Sequence, residues 1–193
     1  MKYFIMDESL NEKIIGNDFP QVYKFIKGYD EDAPDALFSL YKYKATFPDS
    51  IPNLDGVMLA GYAKLTDFIS NGFSNRLRIM SPRAKAILGQ YNLCSHRFYP
   101  LGLYKRKIKQ DYFLFHIVSD YSDFVNYERT SFQEYDITSG YKSDSFFIHS
   151  KTEFWEKREK IETEKGISWG IWGDRIVMNK DFDHELDFFV ISI

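Results

Sequence analysis

The residues best equipped for covalent chemistry stand close together: Cys94 and His96 are two positions apart and on an extended backbone would share one side. A thiolate nucleophile needs a base within hydrogen-bond reach and donors for the oxyanion that develops. The sequence offers neither beyond the pair itself, so a buried, structural Cys94 is the expectation and a catalytic one the alternative. A second chemistry is offered by Asp181, Asp183, Glu185 and Asp187, which alternate with Phe182, His184 and Leu186. If extended, the run would gather its carboxylates on one face as a cation site or an acid–base pair, and their repulsion would raise some proton affinities. The further oxygen ligands and the glycine turn of a calcium loop are missing. A solvated acidic face is therefore expected first and a partner-binding face second, with Phe182 and Leu186 as core anchors.

Other chemical signals are negative. His96, His116, His149 and His184 are dispersed and lack the close Cys/His pairing of a zinc site, so ordinary surface or strand roles are expected. Gly170 and Gly173 have neither the spacing nor the lysine and hydroxyl of a phosphate-cradling loop. No catalytic, metal or cofactor residue is assigned.

Charge is more informative. From Arg76 to Lys109 the chain carries Arg76, Arg78, Arg83, Lys85, Arg97, Lys105, Arg106, Lys107 and Lys109 without one Asp or Glu, although the protein has a formal net charge of −3. One use would be phosphate neutralisation, with Tyr91, Phe98, Tyr99 or Tyr104 stacking on bases. The late acidic run and the absence of a nucleic-acid motif count against that. The other use is recognition of an acidic or mixed-charge protein. The partner-binding set is then Lys105, Arg106, Lys107 and Lys109 together with Asp181, Asp183, Glu185 and Asp187.

The elements that must position these residues are read from periodicity. A first strand is expected at Tyr3 to Met6, then a short helix opened by Pro20 with Val22, Phe25 and Ile26 on one face and Gly28 ending it. Asp30-Glu31-Asp32 through Pro34-Asp35 reads as an exposed acidic turn, and Leu37 to Phe47 as a strand broken by Pro48 and Pro52. Tyr62, Leu65, Phe68 and Ile69 repeat at helical spacing up to Asn71-Gly72. Ser81-Pro82 opens the next helix, since the hydroxyl can accept an orphan amide and Pro has no amide to lose at the first position. Ala84, Ile87, Leu88 and Tyr91 would face the core, with Arg83 and Lys85 off that stripe.

Tyr112 to Val118 is an apolar strand interrupted only by His116, central in a sheet and paired with Phe98 and Tyr99. That places Lys105-Arg106-Lys107 in the intervening hairpin. Phe146-Phe147-Ile148 suggests a second hairpin or meander, and Ser150 with Glu153 makes a capping box for a helix presenting Phe154, Trp155, Arg158 and Ile161, with Gly166 ending it. Arg175 to Met178 and Phe188 to Ile193 supply late strands. At 193 residues and 18% aromatic content the chain can bury a full core. The lone Cys94 cannot form an internal disulfide, the opening MKYFIMDES turns acidic too early for a secretory core, and no apolar run reaches membrane-spanning length. A cytoplasmic location is expected.

Longer segments carry a resemblance. Arg78-Ile79-Met80-Ser81-Pro82-Arg83-Ala84-Lys85-Ala86-Ile87-Leu88, His96-Arg97-Phe98-Tyr99-Pro100, Tyr112-Phe113-Leu114-Phe115-His116 and Glu128-Arg129-Thr130-Ser131-Phe132 resemble the core pattern of the Imm11 immunity proteins, also described as the DUF1629 family. Phe147-Ile148-His149-Ser150 and Lys180-Asp181-Phe182-Asp183-His184-Glu185-Leu186-Asp187-Phe188 are similar as well. The resemblance touches most of the chain after Arg78. It implies a cytoplasmic immunity protein of a bacterial polymorphic-toxin system, a toxin inhibitor that binds a cognate toxin encoded nearby and neutralises it by stoichiometric protein–protein interaction. It brings no catalytic residue. Family members of this type often add a serine-initiated helix after the acidic segment, where this sequence has Val190-Ile191-Ser192-Ile193. The expected fold is α+β, a mixed or largely antiparallel sheet against amphipathic helices. One domain over 1–193 is expected, any boundary falling near 75, where the family-like pattern begins. A nucleic-acid-binding module and a small enzyme are the alternative functions.

Overall fold

The computed structural model describes residues 9–43, 46–73, 77–118 and 120–188. The strand expected at Tyr3 to Met6 lies outside them, as does most of the one expected at Phe188 to Ile193. The fold is α+β, and packing divides the chain into two compact units. One comprises Met1–Ser119 with Glu185–Phe189, the other Asp120–His184 with Val190–Ile193; position 75 lies within the first.

The first unit runs through α1 (Glu12–Ile15), β1 (Val22–Phe25), a 3-10 helix (Leu37–Lys42), β2 (Asp55–Leu59), β3 (Phe68–Ile69), β4 (Leu77–Met80), α2 (Pro82–Leu88), β5 (His96–Lys105) and β6 (Ile108–Ile117). Its sheet has the order β1-β2-β5-β6-β4-β3, antiparallel except where β2 meets β5. Beyond β3 the chain reaches the opposite edge. Val22 donates its amide to Ser70 at 3.0 Å and accepts that of Gly72 at 2.9 Å, forming a parallel bridge with Asn71. The buried Gln21 reinforces the junction, accepting the Ser70 amide at 3.0 Å and donating to the Lys64 carbonyl at 2.6 Å. The sheet thus curls on itself. Strand alternation turns Tyr99, Leu101 and Leu103 of β5, with Tyr112 and Leu114 of β6, onto a core shared with Val57, Ile69 and Ile79. Each fully buried aliphatic side chain there contributes about 1.5–3 kcal/mol.

The second unit contains short 3-10 turns at Ser122–Phe124 and Tyr127–Arg129, then β7 (Ser131–Asp136), β8 (Tyr141–Lys142), β9 (Phe146–Phe147), α3 (Lys151–Lys165) and β10 (Trp169–Arg175). β10, β8 and β9 all pair antiparallel with β7. Phe154 and Ile161 of α3 share a cluster with Phe132 and Ile171. Ser150 caps α3 by accepting the Glu153 amide at 3.1 Å, while the Glu153 carboxylate reaches one residue further back than a capping box, to the His149 amide at 2.8 Å.

Several expected elements take other forms. The helix expected from Pro20 is β1: Gln21 and Val22 are drawn into the sheet by the Ser70 bonds, and Gly28 at φ 91° belongs to the turn after the strand. Leu37 to Lys42 is a 3-10 helix rather than a strand, a three-residue turn that buries both Leu37 and Leu40. The helix expected around Tyr62 to Ile69 is absent; Tyr62 is 80% exposed and only Phe68–Ile69 is regular, as strand. The apolar spacing there reflects a loop touching the core at intervals. α2 begins as expected, Ser81 accepting the Ala84 amide at 3.1 Å, but the helix is short and Ile87 and Tyr91 are exposed. The strand expected at Arg175 to Met178 ends at Arg175, having begun at Trp169. Gly170 lowers strand propensity but is needed because the Tyr135 ring would press on a Cβ there at 3.0 Å.

Candidate partner-binding site

The long antiparallel pairing of β5 with β6 ends at Lys105 opposite Ile108, leaving Arg106 and Lys107 as a two-residue turn. Arg106 has φ 59°, in the left-handed region that such turns usually reserve for Gly, Asn or Asp. A residue with a Cβ incurs about 1–2 kcal/mol there. The turn therefore sets three consecutive cations at the tip at some cost to the backbone.

The structure sorts the basic segment by neighbour. Arg83 pairs with Asp67, whose carboxyl is held below its ordinary value by the guanidinium and by the Ser81 hydroxyl. Lys85 lies 3.8 Å over the Phe113 ring. Arg97 stacks 4.6 Å over Phe47 and donates to the Pro48 carbonyl at 3.0 Å. Lys109 reaches the Asp55 carboxylate at 2.8 Å; Asp55 also accepts the Tyr104 hydroxyl at 3.0 Å. These bonds lower the Asp55 pKa and raise those of Lys109 and Tyr104. Gly102 makes room for this trio, since a Cβ would collide with the Asp55 carboxylate. Arg76 lies outside the described residues. Lys105, Arg106 and Lys107 have no ion-pair partner among the described residues.

Beside these free cations the inward face of the hairpin opens. Lys105, Ile108 and Gln110 continue the line of Leu103 and Tyr112 but pass the end of the core. With Leu65 and Arg106 they line a shallow depression at that end of the sheet. Ile108 is 66% and Leu65 38% exposed. The depression thus couples an apolar floor to a positive rim.

At the far end of the hairpin the same face is closed. His116 is 2% exposed, its Nε2 lies 3.0 Å from the Tyr43 carbonyl, and Phe47 meets it edge-on at 5.5 Å. Burial pushes the imidazole below its ordinary pKa; the Tyr43 carbonyl opposes this and the Arg97 charge adds to it. His116 Nδ1 is buried without a partner among the described residues, while the Arg97 guanidinium lies beside the buried Tyr99 hydroxyl and partly offsets the rise that burial imposes on its pKa. In the second unit, burial with the nearby Asp123 and Asp120 pushes Tyr127 up to about 12.

The expected acidic face does not form as an alternating strand. Asn179 accepts the Asp181 amide with its side chain at 3.0 Å and starts a turn. Phe182 and Leu186 are buried as expected, while the four acids are exposed. Asp181 and Asp183 belong to the second unit; Glu185 and Asp187 belong to the first. Asp187 is a structural group as well, its carboxylate accepting the Asn92 amide at 2.8 Å while the Glu185 carbonyl accepts the Asn92 side chain at 2.9 Å. Cys94 is buried, and His96 Nδ1 lies 2.7 Å from the Cys94 carbonyl oxygen. The imidazole therefore engages the backbone of its neighbour. No group of three His, Cys, Asp or Glu among the described residues could hold a metal ion.

The aromatics considered for base stacking are not gathered. Tyr99 is buried, Phe98 is stacked on Phe115 at 4.9 Å, Tyr104 is bonded to Asp55, and Tyr91 is exposed after α2. Leu65 is expected from its spacing only as part of a helical stripe, and Ile108 carries no expectation; an isoleucine set among Lys105, Arg106, Lys107 and Lys109 is the available signal. No helix among the described residues is long and apolar enough to cross a membrane. No family model matches the chain, and neither does any curated protein or solved structure.

Proposed function

We propose that this protein is a stoichiometric inhibitor that binds and neutralises a cognate bacterial toxin in the cytoplasm, acting as an immunity protein without catalysis of its own. One structural observation carries the reading: the hairpin tip holds three cations without counter-ions among the described residues, beside an exposed apolar floor. Surfaces of that kind steer a charged partner into register and then bury an anchor. The motif resemblance supplies the class of partner; its segments fall on β4, α2, the start of β5, the end of β6 and later runs of the chain, and none of them includes Lys105 to Lys109. The depression beside the cations has no aromatic ring in its lining, which disfavours a nucleic-acid channel.

Co-expression with the toxin encoded beside it tests the proposal. Growth should be rescued and the purified pair should form a one-to-one complex. Failure of both rescue and binding would reject the assignment.

A further inference from the structure

The depression at the open end of the hairpin has features that together specify an occupant. Its floor is aliphatic, Leu65 and Ile108, with no aromatic ring among the residues that line it. Its rim is cationic, and the Asp55 carboxylate on β2 is already engaged by Lys109 and Tyr104. Arg106 occupies a backbone conformation that favours glycine, and strain at an exposed tip has no packing return. Gln110 adds an amide at the edge, able both to donate and to accept.

We propose that this depression docks an acidic segment of the protein partner, one aliphatic side chain seating between Leu65 and Ile108 while flanking carboxylates pair with Lys105, Arg106 and Lys107. This deepens the reading of the protein as an inhibitor and rests on it for the partner. A nucleic acid would supply the charge but not the anchor, because the floor offers methyl groups where a base requires a flat ring. A purely acidic peptide would leave Ile108 exposed. Carboxylates and an aliphatic group together satisfy both parts of the surface.

The probe is a short fluorescein-labelled peptide in which one leucine is flanked on both sides by aspartate and glutamate. It is titrated against the full chain by fluorescence anisotropy at low and moderate salt. A control peptide replaces the leucine by alanine, and a single-stranded thymidine oligonucleotide tests the other class. The leucine peptide should bind at least about tenfold more tightly than the alanine control, with affinity falling as salt rises. Leu65→Ser and Ile108→Ser should each weaken it several-fold; the change at Ile108, 66% exposed, should do so without shifting the melting temperature, while that at Leu65, 38% exposed, should lower it modestly and still give a folded circular-dichroism spectrum. Arg106→Gly should weaken it while leaving the turn intact. Equal binding of the alanine control, tighter binding of the oligonucleotide, or unchanged binding by both serine variants would overturn the proposal.

The same variants in the co-expression assay separate the two readings. Rescue by the native chain that is lost in Leu65→Ser and Ile108→Ser supports both. Rescue that persists in those variants removes the docking site and leaves toxin neutralisation standing. Peptide binding without any rescue by the native chain removes the toxin assignment and leaves the docking chemistry standing.

Discussion

The two ends of the β5–β6 hairpin carry the same inward alternation and are finished in opposite ways. At one end His116 and Arg97 are met by Tyr43, Phe47 and Pro48. At the other, Lys105, Ile108 and Gln110 share an open depression with Leu65. The closed end carries a penalty, since His116 Nδ1, buried without a partner among the described residues, costs about 1–3 kcal/mol. The open end forgoes a gain, since burying Ile108 fully would contribute about 1.5–3 kcal/mol. Stability alone would favour the reverse arrangement, covering isoleucine and wetting histidine. The proposed docking site lies at the end that stays exposed.

The most severe break in this comparison is Leu103→Ala, because Leu103 is 0% exposed in the core shared by both ends. A loss of about 2–5 kcal/mol is expected, measured as a fall in the urea midpoint at unchanged slope. A loss below about 1 kcal/mol would mean the curled sheet is not closely packed.

Next comes pH at the closed end. The folded pKa of His116 lies below its ordinary value of 6.5, so the unfolded chain takes up the proton first as pH falls. Its contribution is present above about pH 6.5 and is lost as pH drops from there through the lower folded value. Urea melts in steps from about pH 8 to about pH 5.5 should show this loss in the native chain and a smaller one in His116→Gln. Parallel curves for the two proteins would contradict a buried neutral imidazole.

At the open end, Arg106→Gly should leave stability unchanged or raise it by up to about 1 kcal/mol, since the positive φ no longer conflicts with a Cβ, while association with the proposed partner slows at low salt. A destabilised turn with undiminished association would reverse the roles assigned to the tip. The smallest expected effect belongs to Ile108→Ala. Its stability change should stay within about 0.5 kcal/mol although it lies on the same face as Leu103; a core-sized loss there would show that the end is closed in solution.

The sequence announced the elements whose signals are local. The apolar run Tyr112 to Val118 announced β6, and with Phe98 and Tyr99 it placed the basic turn; Ser81-Pro82 and Ser150 announced the starts of α2 and α3. Curling was not legible, because it depends on Gln21 and Ser70, 49 positions apart, each accepting the other's backbone amide with its side chain. That non-local junction also explains why Val22 entered a strand and why Tyr62 to Ile69 lost its helical pattern. The candidate site was half legible. Charge marked Lys105, Arg106 and Lys107, but the neutralisation of Lys109 by Asp55 and the apolar floor from Leu65 required the register.

The clasp at Asn92 has a bearing on how the molecule is made. Asn92 and Cys94 are tied to Glu185, Asp187 and Phe188 by bonds from both backbone and side chain. Chains are synthesised from the N-terminus at about 5–20 residues per second, so the polypeptide entering β5 lacks this clasp until residues 120–184 of the other unit have been translated. A nascent chain stalled before residue 185 should expose the start of β5 to proteases that spare it once residue 188 has cleared the exit tunnel.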